Sequence, residues 1–270
     1  VDYEVNPAFQ PKMPFNYPPH QRGLLIEEYA YEYFKRNFAP SKYTYLPIFW
    51  TAFHVSRGFG KDKQVLQEYV NSLPKKKYWS IVQYDDGTLV DFECKTFCCA
   101  FKGDYPIPVL CDWHKEIRLP KRYWACFMGN LKTHPIRQEM RRALYGVSGI
   151  VVKDKLNTKF YVEDLCRSYF ALCPRGYGLT SFRLYEAMAL GVIPIYISDI
   201  FWLPFQNKID WEKCAVLIKD NEMNKIEGRI RGMTPGEMED RKEYIKKISE
   251  EYFTMEGCCK EIANIVRTMP

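Results

Sequence analysis

The chain has no two aspartates separated by a single residue. That spacing is a common way to clamp a divalent cation, so a metal site of that kind is not encoded. No Asn-x-Ser/Thr sequon occurs, which weighs against life in a glycosylating lumen. No cysteines stand in Cys-x-x-Cys spacing, so a structural zinc site is not expected. There is no signal-peptide pattern and no apolar run of membrane-spanning length. Internal repeats and low-complexity segments are absent too. Neither sign of charge dominates: 39 Lys and Arg against 33 Asp and Glu leave +6, spread along the chain. That suits small anionic ligands and is too weak to argue for nucleic acid.

What is present is enough for a large core. The 270 residues are 47% hydrophobic and 16% aromatic, which argues against disorder and allows one large or two ordinary domains. The 20 Tyr and 6 Trp suit a polar cleft that stacks on sugars, although most belong to the core. Ten cysteines raise the question of disulfides. Adjacent Cys98-Cys99 and Cys258-Cys259 are awkward for a framework, and Cys126, Cys166, Cys173 and Cys214 lie in or beside apolar runs, where a thiol packs as a small hydrophobe.

The pattern alternates strands and helices. Pro7, Pro11, Pro14, Pro18 and Pro19 suggest an extended surface arm. A helix is predicted from Leu24 to Phe38, ended by Pro40. Tyr43–Trp50 reads as a strand, Thr51–Lys61 as a loop with Gly58 and Gly60, and Lys63–Leu73 as a helix. Trp79–Tyr84, Phe97–Phe101 and Ile107–Leu110 follow as strands. The polar stretch Asp112–Arg122 reads as a link between lobes. Beyond it come a strand at Tyr123–Met128, a helix from Pro135 to Leu144, a strand at Gly149–Val152 and a short helix at Val162–Ser168. After residue 194 come a strand at Ala215–Ile218, a helix that Thr234-Pro235-Gly236-Glu237 opens with a capping box, and a last helix from Glu256 to Thr268. The division is residues 1–122 and 123–270, with the last helix able to pack back on the first lobe.

One stretch concentrates the chemistry: Cys173-Pro174-Arg175-Gly176-Tyr177-Gly178-Leu179-Thr180-Ser181-Phe182-Arg183-Leu184-Tyr185-Glu186-Ala187, then Gly191-Val192-Ile193-Pro194. An apolar strand leads into a glycine loop. Thr180 or Ser181 caps a helix, and a second strand follows. A helix N-terminus after such a loop favours an anion, with Arg175 and Arg183 adding charge. The plain alternative is an ordinary crossover with solvated arginines.

The wording of this stretch closely resembles the signature of the exostosin-like glycosyltransferases, glycosyltransferase family 47. Phe127-Met128-Gly129-Asn130, with Arg137 on the next helix, looks like the family's Phe-x-Gly…Arg element. Tyr45–Trp50 and Gln83–Gly87 look similar to compact microbial and viral members. The resemblance implies a GT-B architecture, two Rossmann-like lobes with parallel sheets facing a central cleft, the first lobe binding acceptor and the second the nucleotide sugar. It implies an inverting transferase moving a sugar, xylose by preference, from a UDP-sugar to a hydroxyl of a glycoprotein glycan. The expected donor site is Gly129, Asn130, Arg137, Pro174, Arg175, Gly176, Thr180, Ser181, Phe182, Arg183 and Glu186, with Glu186 on the ribose.

An inverting transfer needs a general base. Asp85 and Asp86 follow a strand, His54 follows the one before, and Asp112 and His114 are a third choice. No metal or other cofactor is expected, since arginines and a helix dipole can stabilise the leaving diphosphate. The expected partners are a UDP-sugar and a glycan or glycoprotein, with neither nucleic acid nor membrane. The cytoplasm is the expected location, that of a host for a virus-encoded enzyme, with the Golgi lumen as the alternative if an N-terminal anchor has been removed. Another donor sugar (glucuronic acid, galactose or arabinose) or a non-catalytic glycan-binding module are the competing functions.

Overall fold

The computed structural model describes residues 6–14, 24–37, 41–110, 117–155 and 158–270. The chain divides into two units, Val1–Cys111 with Tyr252–Pro270, and Asp112–Glu251.

The first unit begins with α1 (Ile26–Asn37), which buries Ile26, Ala30 and Phe34 at four-residue spacing. β1 (Thr44–Tyr45), α2 (Trp50–Ser56), α3 (Gln64–Ser72), β2 (Tyr78–Val82), β3 (Cys94–Cys98) and β4 (Tyr105–Pro106) follow. The four strands are parallel in the order β1-β2-β3-β4. Three expectations are corrected here. The strand expected over Tyr43–Trp50 pairs only at its start, and residues expected in the following loop form α2. Trp50, Phe53 and His54 stand at i, i+3 and i+4 and are all buried, so the helical period was present. The run Ile107–Leu110 is buried but is not a strand. Ile107 donates to the Cys98 carbonyl (3.0 Å), and Pro108 has no N–H to continue the ladder. The described part of the proline arm is anchored, because Phe9 is buried and stacks on Tyr69 at 4.2 Å. Pro18, Pro19 and Pro40 lie outside the described residues.

The second unit contains β5 (Tyr123–Met128), α4 (Pro135–Ala143), β6 (Ile150–Lys153), α5 (Thr158–Cys166), β7 (Ser168–Pro174), α6 (Phe182–Ala189), β8 (Ile193–Ile197), α7 (Trp211–Cys214), β9 (Val216–Ile218), α8 (Ile226–Arg231) and α9 (Pro235–Tyr252). Its sheet is parallel with order β6-β5-β7-β8-β9. The predicted capping box closes α9: the Thr234 N–H donates to Glu237 Oε2 (2.7 Å) and the Glu237 N–H to Thr234 Oγ1 (3.2 Å). α10 (Met255–Thr268) belongs to the first unit, where it packs on α1. Two parallel α/β sheets in one chain are the composition that the GT-B architecture requires. No disulfide joins any two of the nine described cysteines, which are buried except for Cys94. Among the described residues no helix is long and apolar enough to cross a membrane.

One buried carboxylate ties the first unit together. Glu27, in the first turn of α1, is 1% exposed. Its Oε1 accepts from the Gln83 N–H (2.8 Å), just past β2, and from Thr51 Oγ1 (3.0 Å); its Oε2 accepts from the Thr51 N–H (3.0 Å) in α2. Burial raises its pKa from 4.5 to about 8, against the pull of these hydrogen bonds. The folded chain thus holds this proton where the unfolded chain has lost it. The contribution to stability is complete below pH 4.5 and is lost as the pH climbs through the folded value near 8. Glu27→Gln should lower stability overall, since its amide N–H would face the Thr51 N–H. It should also flatten the fall of the urea midpoint between about pH 5 and 8, on the order of 1 kcal/mol per pH unit in the parent chain. Parallel pH profiles for the two proteins would contradict this account.

Candidate functional site

The strand order of the second unit reverses at β5, with β6 on one side and β7 on the other. In open α/β sheets such a switch point opens a crevice at the carboxyl ends of the strands, where ligands bind. Two loops leave these ends: residues 129–134 after β5, and residues 175–181 after β7.

Arg183, on the first turn of α6, reaches under the end of β5. It is 8% exposed, and its Nη2 donates to the Met128 carbonyl at 2.6 Å. Its guanidinium lies over the Phe127 ring, 4.4 Å from the centroid. Burial works against its charge, and the nearby Glu186 carboxylate works for it. A Cβ on Gly129 would come within 2.7 Å of Arg183 Nη2, so the glycine makes room for the guanidinium. Gly129 is expected in the donor site, and its immediate neighbour is an arginine.

Arg137, on α4, links the two loops. Its Nε donates to the Arg175 carbonyl and its Nη1 to the Asn130 carbonyl, both at 2.9 Å. Nη2 makes no hydrogen bond to a described residue and lies 3.0 Å from where a Gly176 Cβ would stand. Burial, then the like charge of Arg183, lowers its pKa to about 10. Among the described residues neither Arg137 nor Arg183 has an ion-pair partner, so two like charges are crowded together beside the loops after β5 and β7.

Arg175 is differently placed. Its Nη1 pairs with Asp199 Oδ1 at 2.7 Å, its Nε donates to the Gly178 carbonyl (3.2 Å) and its Nη2 to the Tyr177 carbonyl (3.1 Å). Nε and Nη2 thus shape its own loop, and Nη1 ties that loop to Asp199 past β8. The expectation that this side chain grips phosphate directly meets a guanidinium already engaged. Asp199, held below its usual pKa range by Arg175 against the opposing effect of burial, was not foreseen. It stands two residues past β8, and the rule that picked out strand-end carboxylates would have found it.

Ser181 caps α6, its Oγ accepting from the Arg183 N–H at 3.4 Å. Thr180 is buried, with its hydroxyl unpartnered among the described residues. Pro174 ends β7, and Phe182, half-buried, opens α6. Asn130 caps the turn after β5 by accepting from the Lys132 N–H at 2.8 Å. Glu186, half-buried one turn on, accepts from Tyr161 Oη at 2.5 Å. Tyr161, whose hydroxyl is pushed well above its usual pKa by burial, was also missed. It lies on α5, and only the tertiary fold brings it to α6. His134, which caps α4 by accepting from the Ile136 N–H, has its pKa lowered by burial and by Arg175.

The base candidates Asp85, Asp86 and His54 lie in the first unit. Asp85 and Asp86 are exposed in the turn after β2. His54 has no exposed surface; its Nε2 donates to the Thr88 carbonyl at 2.9 Å, and burial lowers its pKa. Its job in the fold is to clamp the loop that carries the two aspartates. Asp112 and His114 lie outside the described residues. A separate cavity of about 520 Å³ runs beside β9, where Arg229 and Arg241 donate to the carbonyls of Leu217 and Ala215. It is away from the switch point.

A family profile, the Exostosin GT47 domain, matches residues 96–233. A probable glucuronosyltransferase of Oryza sativa subsp. japonica is 38% identical over 73 residues, 27% of this chain and 17% of that protein. The probable beta-1,4-xylosyltransferase IRX10 of Arabidopsis thaliana is 39% identical over 67 residues, 25% of this chain and 16% of its own length. The matches to these two curated relatives thus span about a sixth of their length. The crystal structure of TarM covers 90% of this chain and 58% of its own, at 12% identity and a TM-score of 0.47.

The contact between Gly129 and Arg183 can be tested by stability alone. Gly129→Ala should cost about 1–3 kcal/mol, because the buried guanidinium is held by the Met128 carbonyl and cannot swing aside freely. Gly228→Ala, inside α8 with no described side chain within 4 Å of the added Cβ, should instead stabilise by up to ~1 kcal/mol. Denaturant titration separates the two, and an equal response at both positions would remove the argument.

Proposed function

This chain belongs to the Exostosin GT47 domain family, and from that premise we propose that it is an inverting glycosyltransferase using a UDP-sugar donor without a metal. The observation that carries the reading is the pair of cations, Arg137 and Arg183, buried without ion-pair partners among the described residues where the loops after β5 and β7 meet. A diphosphate neutralises that pair, and the N–H groups at the start of α6 add the helix dipole. Arg137 Nη2 and the N–H groups of residues 176–181 take the phosphates. Arg175 supports them by fixing the loop. Glu186, oriented by Tyr161, takes the ribose hydroxyls.

The reaction is a displacement at the anomeric carbon. The acceptor oxygen forms a bond to C1 as the bond from C1 to the diphosphate oxygen breaks, and the electron pair leaves with UDP. Asp85 or Asp86 takes the hydroxyl proton; both are exposed, whereas His54 is enclosed. Positive charge held in a partly dry crevice stabilises the charge growing on the departing diphosphate. Xylose is the sugar we assign to the donor and a glycoprotein glycan the acceptor, in the cytoplasm of the cell, a host cell if the enzyme is virus-encoded. One relative is named for xylosyl transfer and several for glucuronosyl transfer, so the donor is the part most worth measuring.

Two measurements follow. In a donor screen by UDP release, UDP-xylose should be the preferred substrate, and EDTA should change the rate by less than about twofold. Turnover with UDP-glucuronic acid alone would remove the xylose assignment, and loss of activity in EDTA would remove the metal-free mechanism. Glu186→Ala should raise the KM for donor about tenfold or more, equivalent to ~1.4 kcal/mol or above, and shrink the thermal shift given by UDP. If UDP stabilises neither protein, a non-catalytic glycan-binding module becomes the better description.

A further inference from the structure

Three described residues other than glycine adopt the left-handed backbone conformation: Phe59 (φ 58°), Leu89 (φ 56°) and Phe205 (φ 53°). For a bulky side chain this is a strained conformation, which persists only where the surroundings enforce it. Two of the three recover the cost by packing. Phe205 is 4% exposed, and Leu89 packs on the core of the first unit. Phe59 does not, for its ring is 65% exposed and makes no ring contact with a described residue. The fold holds a strained backbone to present an aromatic ring to solvent.

The loop is built to do this. Gly58, Phe59 and Gly60 are left-handed in succession. The Gly60 N–H donates to the His54 carbonyl at 3.2 Å, and Leu89 Cδ1 lies 2.3 Å from where a Gly60 Cβ would stand. His54 in turn holds the Thr88 carbonyl. Arg57 Nη1 and Asp62 Oδ2, 2.7 Å apart, close the base of the loop. The clamp therefore joins residues 57–62 to the loop after β2, which carries the exposed Asp85 and Asp86. That loop leaves the carboxyl end of a parallel sheet, the end where such sheets bind ligands.

From this arrangement we infer that Phe59 is a stacking platform for a neutral sugar ring, with Asp85 and Asp86 accepting its hydroxyls. A pyranose has an apolar C–H face that covers an aromatic ring and a rim of hydroxyls that donate to carboxylates. The two loops carry a slight negative excess: Arg57, Lys61 and Lys63 against Asp62, Asp85, Asp86, Asp91 and Glu93. A strongly anionic ligand finds no excess of positive charge there. The role of that sugar as acceptor rests on the transferase reading; binding of the sugar does not.

The test uses the full chain. Asn adopts the left-handed conformation readily, so Phe59→Asn removes the ring while keeping the loop, and Phe59→Trp keeps a platform. Each protein is applied to an array of neutral oligosaccharides, and its melting temperature is read with and without UDP. The parent chain and Phe59→Trp should bind the same glycans, Phe59→Asn should lose at least tenfold in signal, and its melting temperature should not fall. Unchanged binding by Phe59→Asn, no glycan bound by the parent chain, or a melting temperature several degrees lower in Phe59→Asn each overturns the inference. Loss of the UDP shift with ring-dependent glycan binding intact counts against the donor site alone.

Discussion

The second unit depends on a cation placed where a hydrophobic core would ordinarily be. Arg183 crosses from α6 to β5, bonds the Met128 carbonyl and lies over the Phe127 ring. A buried guanidinium is costly unless its charge and its N–H groups are met. Here an aromatic face, a carbonyl and the field of Glu186 meet most of that cost, and Nε is left without a hydrogen bond among the described residues. Gly129 is a glycine because this guanidinium lies against it. Two loops far apart in sequence are thereby joined across the point where the strand order reverses.

Three arginines have separate jobs in that frame. Arg183 fixes the end of β5, Arg175 shapes its own loop with Asp199, and Arg137 bridges the loops while keeping Nη2 uncommitted among the described residues. The like charges of Arg137 and Arg183 lie close enough to depress the Arg137 pKa. That repulsion favours any ligand that brings two negative charges. On the proposed reading, anion recognition follows from how the loops are held as much as from which side chains are uncommitted.

The first unit uses a carboxylate and a histidine for comparable work. Glu27 joins α1, α2 and the end of β2, and His54 joins the loops after α2 and β2. Both are almost wholly enclosed, so their polar atoms act on backbone groups rather than on solutes. The exposed chemistry of this unit is left to Asp85, Asp86 and Phe59, which these clamps hold in place.

Local patterning determined much of this by itself. The strand at Tyr123–Met128, the capping box before α9 and the loop and helix from Cys173 to Ala189 follow from periodicity and turn chemistry, which depend on neighbours in sequence. Ser181 as the cap of α6 was legible for the same reason, whereas Gly129, Arg137 and Glu186 were singled out by the family resemblance. The helix α2 carried its period too, in Trp50, Phe53 and His54, but two glycines nearby suggested a loop. Only the tertiary structure decided what each charged group faces. Strand order sets that, and strand order is fixed by long-range packing that no local pattern contains. It turned Arg175 toward Asp199, brought Tyr161 to Glu186, set Arg183 against Gly129, buried His54 and left Phe59 in solvent.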